Sequence, residues 1–260
     1  MKFKVKSEEE VELLRQNNQL VSKTLAEIAR LIRPGVSTLE LDARAEEFIR
    51  DHGAEPGFKG YRGFPNTLCT SLNHEVVHGI PSNYQLKNGD ILSVDCGVIK
   101  NGYFGDTAFT FAVGEISEKA EKLLMVTRES LWKGVEQASA GQRLGDIGYA
   151  IQKHAEGNGF SVVREMVGHG LGKSLHEPPE VPNYGKRGRG PKLPDGLVIC
   201  IEPMINMGMK EIAQDKDGWT IQTLDKQPSA HFEFAVVVRK EKADVLSTFE
   251  YIDEVLNIKG

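Results

Sequence analysis

Residues 93–109 read SVDCGVIKNGYFGDTAF, and the central Asn101-Gly102 is the dipeptide favoured in a two-residue type I′ hairpin turn, where both central residues take positive φ. That turn fixes a register: Lys100 faces Tyr103, Gly97 faces Asp106 and Asp95 faces Ala108. Side chains alternate along a strand, so Asp95 and Asp106 fall on one face as diagonal neighbours, about 7 Å apart at Cα. Two carboxylates so placed repel each other unless a proton or a cation lies between them. One reading is a solvated face with incidental acids. Against it, DILSVDCGVI (90–99) is apolar on both faces, as a strand covered on both sides is. The hairpin therefore asks for a cation, whose other ligands must come from elsewhere in the chain.

The chain can bury a substantial core: at 260 residues it is one large domain or two small ones, with 40% hydrophobic and 27% charged residues. A formal net charge of −5 argues against dedicated nucleic-acid binding, although local basic segments remain possible. The opening MKFKVKSEEEVELL has no apolar stretch of signal-peptide length, and no apolar run is long enough to span a bilayer, so a cytoplasmic location with no membrane contact is expected. Cys69, Cys96 and Cys200 are odd in number, form no CxxC and sit in apolar strand-like contexts. They read as reduced thiols rather than a disulfide frame or a zinc knuckle.

The same order of elements is expected twice. Ser7 with Glu10 and Ser37 with Glu40 make capping boxes before helices ending near Pro34-Gly35 and His52-Gly53. After the hairpin, Ser117 opens a helix ending near Ala140-Gly141, and GDIGYAIQKHAEGNG gives another ending at Gly157 to Gly159. Gly35 and Gly53 recur 106 residues on as Gly141 and Gly159, and NGDILSVD (88–95) answers to DGLVICIE (195–202), 107 on. Chance similarity of two mixed segments is the alternative to a duplication, since the identities are few. A duplication makes one demand: if Asp95 is a ligand, its counterpart Glu202 is one too.

Other candidates follow. Glu202 ends GLVICIE, an apolar strand in which a lone acid bears a heavy desolvation cost unless paired or metal-bound. In SAHFEFAVVV, alternation puts His231, Glu233 and Ala235 on one face. VGHGLGKSLHEPP brings His169 and His176 amid glycines that allow close backbone approach. Asp95, Asp106, His169, Glu202 and Glu233 together give four carboxylates and an imidazole, a set suited to two hard or borderline divalent ions.

These five residues, within DCGVIKNGYFGDTAF, VGHGLGKSLHEPP, CIEPMI and SAHFEF, closely resemble the type I methionine aminopeptidases over about residues 7 to 240. The resemblance implies an α+β pita-bread fold: a single catalytic domain over 1–260, with pseudo-symmetric helix-helix-strand halves of about 7–113 and 114–240 and a shared curved antiparallel sheet. It implies two divalent ions (Co, Mn, Fe or Zn) at the five ligands and removal of the initiator methionine from nascent polypeptides, with a small second residue preferred. The 33 residues from His169 to Glu202 leave no room for the insertion of the type II enzymes, so a bacterial-type short form, expected to be a monomer, is the nearest description.

By the same resemblance, Glu202 is general base and proton shuttle, His176 donates to the oxygen of the tetrahedral intermediate, and His78, in EVVHGIP, contacts the nitrogen after the methionine. Tyr61, Phe64, Cys69 and Trp219 wall the methionine pocket, with His78 and His176 also touching substrate, and Asn73 with Ser229 forms an accessory monovalent-cation site. NYGKRGRGPKLPDG (183–196) is more basic than the family's pattern needs; Lys186, Arg187, Arg189 and Lys192 lie within 185–192, a candidate ribosome contact. The rivals are a proline-specific aminopeptidase or prolidase of the same fold, and a non-enzymatic pita-bread binding protein, which would be expected to have lost ligands.

Overall fold

The computed structural model describes residues 3–257; the first two and last three positions of the expected 1–260 unit lie outside the described residues. Both capping boxes form. The Ser7 hydroxyl accepts from the Glu10 N–H while the Glu10 carboxylate accepts from the Ser7 N–H, opening helix α1 (Glu8–Ala29). Ser37 and Glu40 do the same for α2 (Thr38–Asp51), and Ser117 caps α3 (Glu118–Val135), which packs on α4 (Leu144–Gly157). Helices α2 and α4 end where expected, whereas α1 stops at Ala29, short of Pro34-Gly35, and α3 at Val135, short of Ala140-Gly141. The chain leaves α3 at Val135 because the Ala140 N–H is drawn to the Arg239 carbonyl, 2.8 Å away, and the Gly141 N–H to that of Leu193 at 2.9 Å. A fifth helix, α5 (Glu250–Leu256), which no sequence signal announces, lies against α1.

All strand ladders are antiparallel. The hairpin joins Ile91–Lys100 to Tyr103–Ala112 in the expected register, with Lys100 opposite Tyr103, Gly97 opposite Asp106 and Asp95 opposite Ala108. Asn101 and Gly102 take φ of 54° and 76°, as a type I′ turn requires. Leu68–Leu72 and Glu55–Pro56 pair with the first hairpin strand. A five-stranded sheet from later in the chain runs Asp244–Val245, Phe234–Val237, Val198–Ile201, Gly168–Gly170, Glu177–Val181. A three-stranded sheet, in which Glu75–Val77 pairs with Ile221–Thr223, ties the early part of the chain to the late one. A further link is the Glu233 N–H donating to the Ala108 carbonyl at 3.0 Å.

Two apolar clusters explain why so many strands are apolar on both faces. The larger, including Leu25, Leu41, Val94, Leu123, Ile151, Ile199, Ile201 and Phe234, fills the space between helices and strands. The smaller, including Leu14, Phe58, Phe64, Cys69, Leu175, Val198, Cys200 and Ala235, lies on the opposite face. Alternation thus splits Val198–Ile201 between the clusters, so side chains on either face of this strand enter a desolvated region. No helix among the described residues is long and apolar enough to cross a membrane.

Candidate metal centre

α1 sets the hairpin turn and Asp106 in place. Asn17 Nδ2 donates to the carbonyls of Lys100 and Tyr103 at 2.9 and 2.7 Å, straddling the turn. Asn18 Oδ1 accepts from the Asp106 N–H at 3.0 Å. Helix and strand come this close because residue 105 is glycine; a Cβ there would stand 2.6 Å from the Asn17 carbonyl carbon. Asp106 is only 3% exposed.

Around this pair the later strands bring the other expected ligands. His169, on Gly168–Gly170, has Nδ1 3.0 Å from the Gly170 carbonyl and Nε2 3.5 Å from Asp106 Oδ2 and 3.6 Å from Glu202 Oε1. That arrangement makes Nδ1 the protonated nitrogen and leaves the Nε2 lone pair for the centre. Glu202 follows the last residue of Val198–Ile201, and Glu233 stands 2% exposed where the chain passes from Ser229–His231 to Phe234–Val237. Ligand atoms of Asp106, His169, Glu233 and Cys200 all lie within 4.8 Å of one another.

Two members of this neighbourhood carried no role in the sequence reading. Cys200 reads from the sequence as a reduced thiol in an apolar strand, yet the alternation that brings Glu202 inward brings it too. His231 was placed on the face of Glu233 without a function, but its Nε2, buried and without a hydrogen-bond partner, is 3.7 Å from Glu202 Oε2.

Electrostatics favour a cation-binding reading. Burial, reinforced by neighbouring acids, pushes the carboxyls of Asp106, Glu202 and Glu233 well above the usual carboxylate range, and burial pushes Asp95 up to about 7. Burial holds the imidazoles of His169 and His231 down to about 3, so neither supplies the missing positive charge at neutral pH. No lysine or arginine pairs with these four carboxylates among the described residues, and Asp95 Oδ1, Asp106 Oδ1 and Glu233 Oε1 are buried with no hydrogen-bond partner. Four uncompensated carboxylates with outward-facing lone pairs fit a pair of divalent cations.

A cavity of about 890 Å³ opens onto the centre. Tyr61, Phe64, Cys69, Trp219, His78 and His176 all line it. Trp219 stands edge-on to Phe64 with ring centroids 5.2 Å apart. His176 lies edge-on to His169 at 4.3 Å, and its Nδ1 is 2.8 Å from the Tyr61 hydroxyl. Burial, with help from Arg62 and His78, lowers the His176 pKa to about 4. His78 has a left-handed φ of 61°, uncommon for a side chain with a Cβ. Asn73 and Ser229 are also adjacent, the Ser229 N–H donating to the Asn73 carbonyl at 2.8 Å. Their side chains are engaged within the protein: Asn73 Nδ2 with Asp90, Asn73 Oδ1 with the Ile91 N–H, and the Ser229 hydroxyl with the Ile205 carbonyl.

Comparisons with known proteins agree with this geometry. Residues 12–240 match the model of metallopeptidase family M24. A methionine aminopeptidase of Clostridium perfringens is 51% identical over 94% of this chain and 98% of its own length. The crystal structure of methionine aminopeptidase from Rickettsia prowazekii superposes with a TM-score of 0.94 at 41% identity, covering 95% of this chain and all of that one. A prolidase from Pyrococcus furiosus shares the fold alone, with a TM-score of 0.78 at 23% identity over 95% of this chain and 66% of the prolidase. The chain belongs to metallopeptidase family M24, and within it to the methionine aminopeptidases.

Proposed function

We propose that the chain removes the N-terminal methionine from nascent polypeptides and peptides by hydrolysis at a centre held by Asp95, Asp106, His169, Glu202 and Glu233. The observation that carries this reading is the buried set of four carboxylates with no lysine or arginine partner among the described residues, opening into a cavity walled by Tyr61, Phe64, Cys69 and Trp219. Bound there, divalent ions supply Lewis acidity and a water acidic enough to react at neutral pH. Glu202 accepts the proton of the attacking water and passes it to the departing amine. His176, held by Tyr61, donates to the oxygen on which charge develops. His78 contacts the nitrogen of the scissile bond and crowds the second residue. The four wall residues enclose the thioether, which packs well on aromatic rings.

The wider reading is one catalytic unit over 1–260, with halves of about 7–113 and 114–240. It is supported by the helix-helix-strand order occurring twice and by ligands arriving from both sides of residue 114. A monomer working in the cytoplasm on emerging chains belongs to the same proposal. The basic loop 185–192 is its ribosome contact, supported by four exposed cations on a backbone tied to the start of α4 through Leu144, Gly145 and Asp146. A monovalent cation at Asn73 and Ser229 is supported by their adjacency alone.

The test is hydrolysis of Met-Xaa-Ser peptides by metal-reconstituted protein. Met-Ala-Ser is cleaved readily, whereas Met-Leu-Ser and formyl-Met-Ala-Ser are slower by about a hundredfold or more, because a displacement of about 1 Å at the reacting carbonyl costs that much. Equal rates for the three peptides, or activity that survives verified metal removal, would contradict the proposal.

A further inference from the structure

The segment before α1 is tied into the turn that carries His176. The Lys6 N–H donates to the Gly196 carbonyl at 2.8 Å, and Val5 bridges Leu197 in antiparallel fashion. These contacts aim the Lys6 side chain inward, where Nζ meets Glu177 Oε2 at 2.7 Å. The two side chains are only 6% and 7% exposed, and each is the other's sole ion-pair partner among the described residues. Glu177 directly follows His176. Its other oxygen, Oε1, faces the Ser174 N–H at 3.4 Å, so one carboxylate holds both the N-terminal segment and the tip of the turn.

The rest of the turn is equally committed. The Phe104 N–H donates to the Gly172 carbonyl at 2.9 Å, fastening the turn to the hairpin, and the Gly172 N–H reaches the Ser174 carbonyl at 3.3 Å. Gly172 covers the ion pair so closely that a Cβ there would collide with both Glu177 Oε1 and Lys6 Nζ. A buried ion pair is a poor source of net stability, because desolvation of two charges offsets much of their attraction. What such a pair does supply is direction, since a charged group fixed at two points holds the residues on either side of it.

We propose that Lys6 is a positioning residue for His176, acting through Glu177 to fix the 172–177 turn so that the imidazole stays between Tyr61 and His169. Lys6 does not touch substrate; it governs the aim of a side chain that does. This rests on the role given above to His176.

The test is a double-mutant cycle on the full chain loaded with Mn²⁺, with Met-Ala-Ser as substrate. Lys6→Met lowers kcat on the order of tenfold, with KM changed less than about twofold and metal content intact. In a His176→Ala background the same substitution lowers kcat less than about twofold, because the group being aimed is already gone. Equal fold losses in the two backgrounds mean general damage to the fold and overturn the proposal, as does undiminished turnover of Lys6→Met. A variant carrying both Lys6→Met and Glu177→Met guards against misfolding, since it leaves no unpaired buried charge. Its thermal midpoint recovers toward wild type while kcat stays low; recovery of kcat together with the midpoint would mean the pair serves the fold alone. An unimpaired His176→Ala enzyme overturns the role of His176 itself, an outcome distinct from failure of the Lys6 contact.

Discussion

Glu202 has an imidazole on each side: His169 Nε2 is 3.6 Å from one of its oxygens and His231 Nε2 is 3.7 Å from the other. A carboxylate that must both meet a cation and move a proton needs its orientation fixed, and His231 is well placed to do that. Its backbone N–H accepts no freedom either, donating to the Thr110 hydroxyl, which in turn donates to the His231 carbonyl. His231→Ala should therefore weaken Mn²⁺ binding or turnover by about ten- to a hundredfold, the usual cost of removing a group that orients a ligand. Calorimetric titration with Mn²⁺ and steady-state kinetics check this, and wild-type values in both would leave His231 without the role. Direct ligation is a harsher test. Asp106→Asn and Glu233→Gln each replace a buried carboxylate that has one oxygen without a hydrogen-bond partner by a neutral amide, and elemental analysis after dialysis should find less than about one ion per chain. The acids were legible in the sequence because the Asn101-Gly102 turn fixes the register and a buried acid is conspicuous in an apolar strand. His231 and Cys200 were not, since histidine and cysteine are unremarkable in such strands and only the folded neighbourhood brings them to Glu202 and Glu233.

At the scale of elements, the approach of α1 to the hairpin decides where Asp106 stands. Gly105 permits that approach, and Gly105→Ala would place a methyl group 2.6 Å from the carbonyl carbon of Asn17 and 2.9 Å from the Asn18 nitrogen. Backbone on both sides cannot yield cheaply, so overpacking of about 1–3 kcal/mol is expected. Thermal unfolding should show the loss, and an unshifted midpoint would mean that helix and strand separate without penalty. Activity should fall as well, because Asn18 Oδ1 would move from the Asp106 N–H. Elements defined by local chemistry were readable: two capping boxes and the hairpin register follow from a few adjacent residues. The end of α3 was not, because the Arg239 and Leu193 carbonyls that draw the chain away lie far along the sequence. Nor was α5, a seven-residue helix preceded by Phe249, which packs on Phe109 and Phe234 and has no side-chain cap.

For the whole molecule, the centre couples metal binding to pH and stability, and the sign follows from the direction of each shift. Carboxyls raised by burial, Asp95 to about 7 and Asp106, Glu202 and Glu233 higher than their ordinary values, bind protons more tightly folded than unfolded. Their contribution to metal-free stability is therefore present at low pH and is lost as pH rises through the folded values. The imidazoles of His169 and His231, lowered to about 3, and of His176, lowered to about 4, act oppositely: their contribution is present above the ordinary histidine value and is lost as pH falls. Between about 4 and 6.5 the two sets oppose each other, whereas above about 6.5 the unfolded histidines shed their remaining protons and the carboxyls come to dominate the change. Metal-free protein should thus lose stability as pH rises from about 6.5 to 8, while ions that hold the carboxylates ionised remove that loss. The gap in thermal midpoint between Mn²⁺-loaded and chelated protein should widen over this interval, and Mn²⁺ binding at neutral pH should release protons, detectable as a dependence of binding enthalpy on the ionisation enthalpy of the buffer. A gap that stays constant or narrows with rising pH, together with binding heats that ignore the buffer, would show that these carboxyls are already ionised without a cation and that burial does not load the centre with protons.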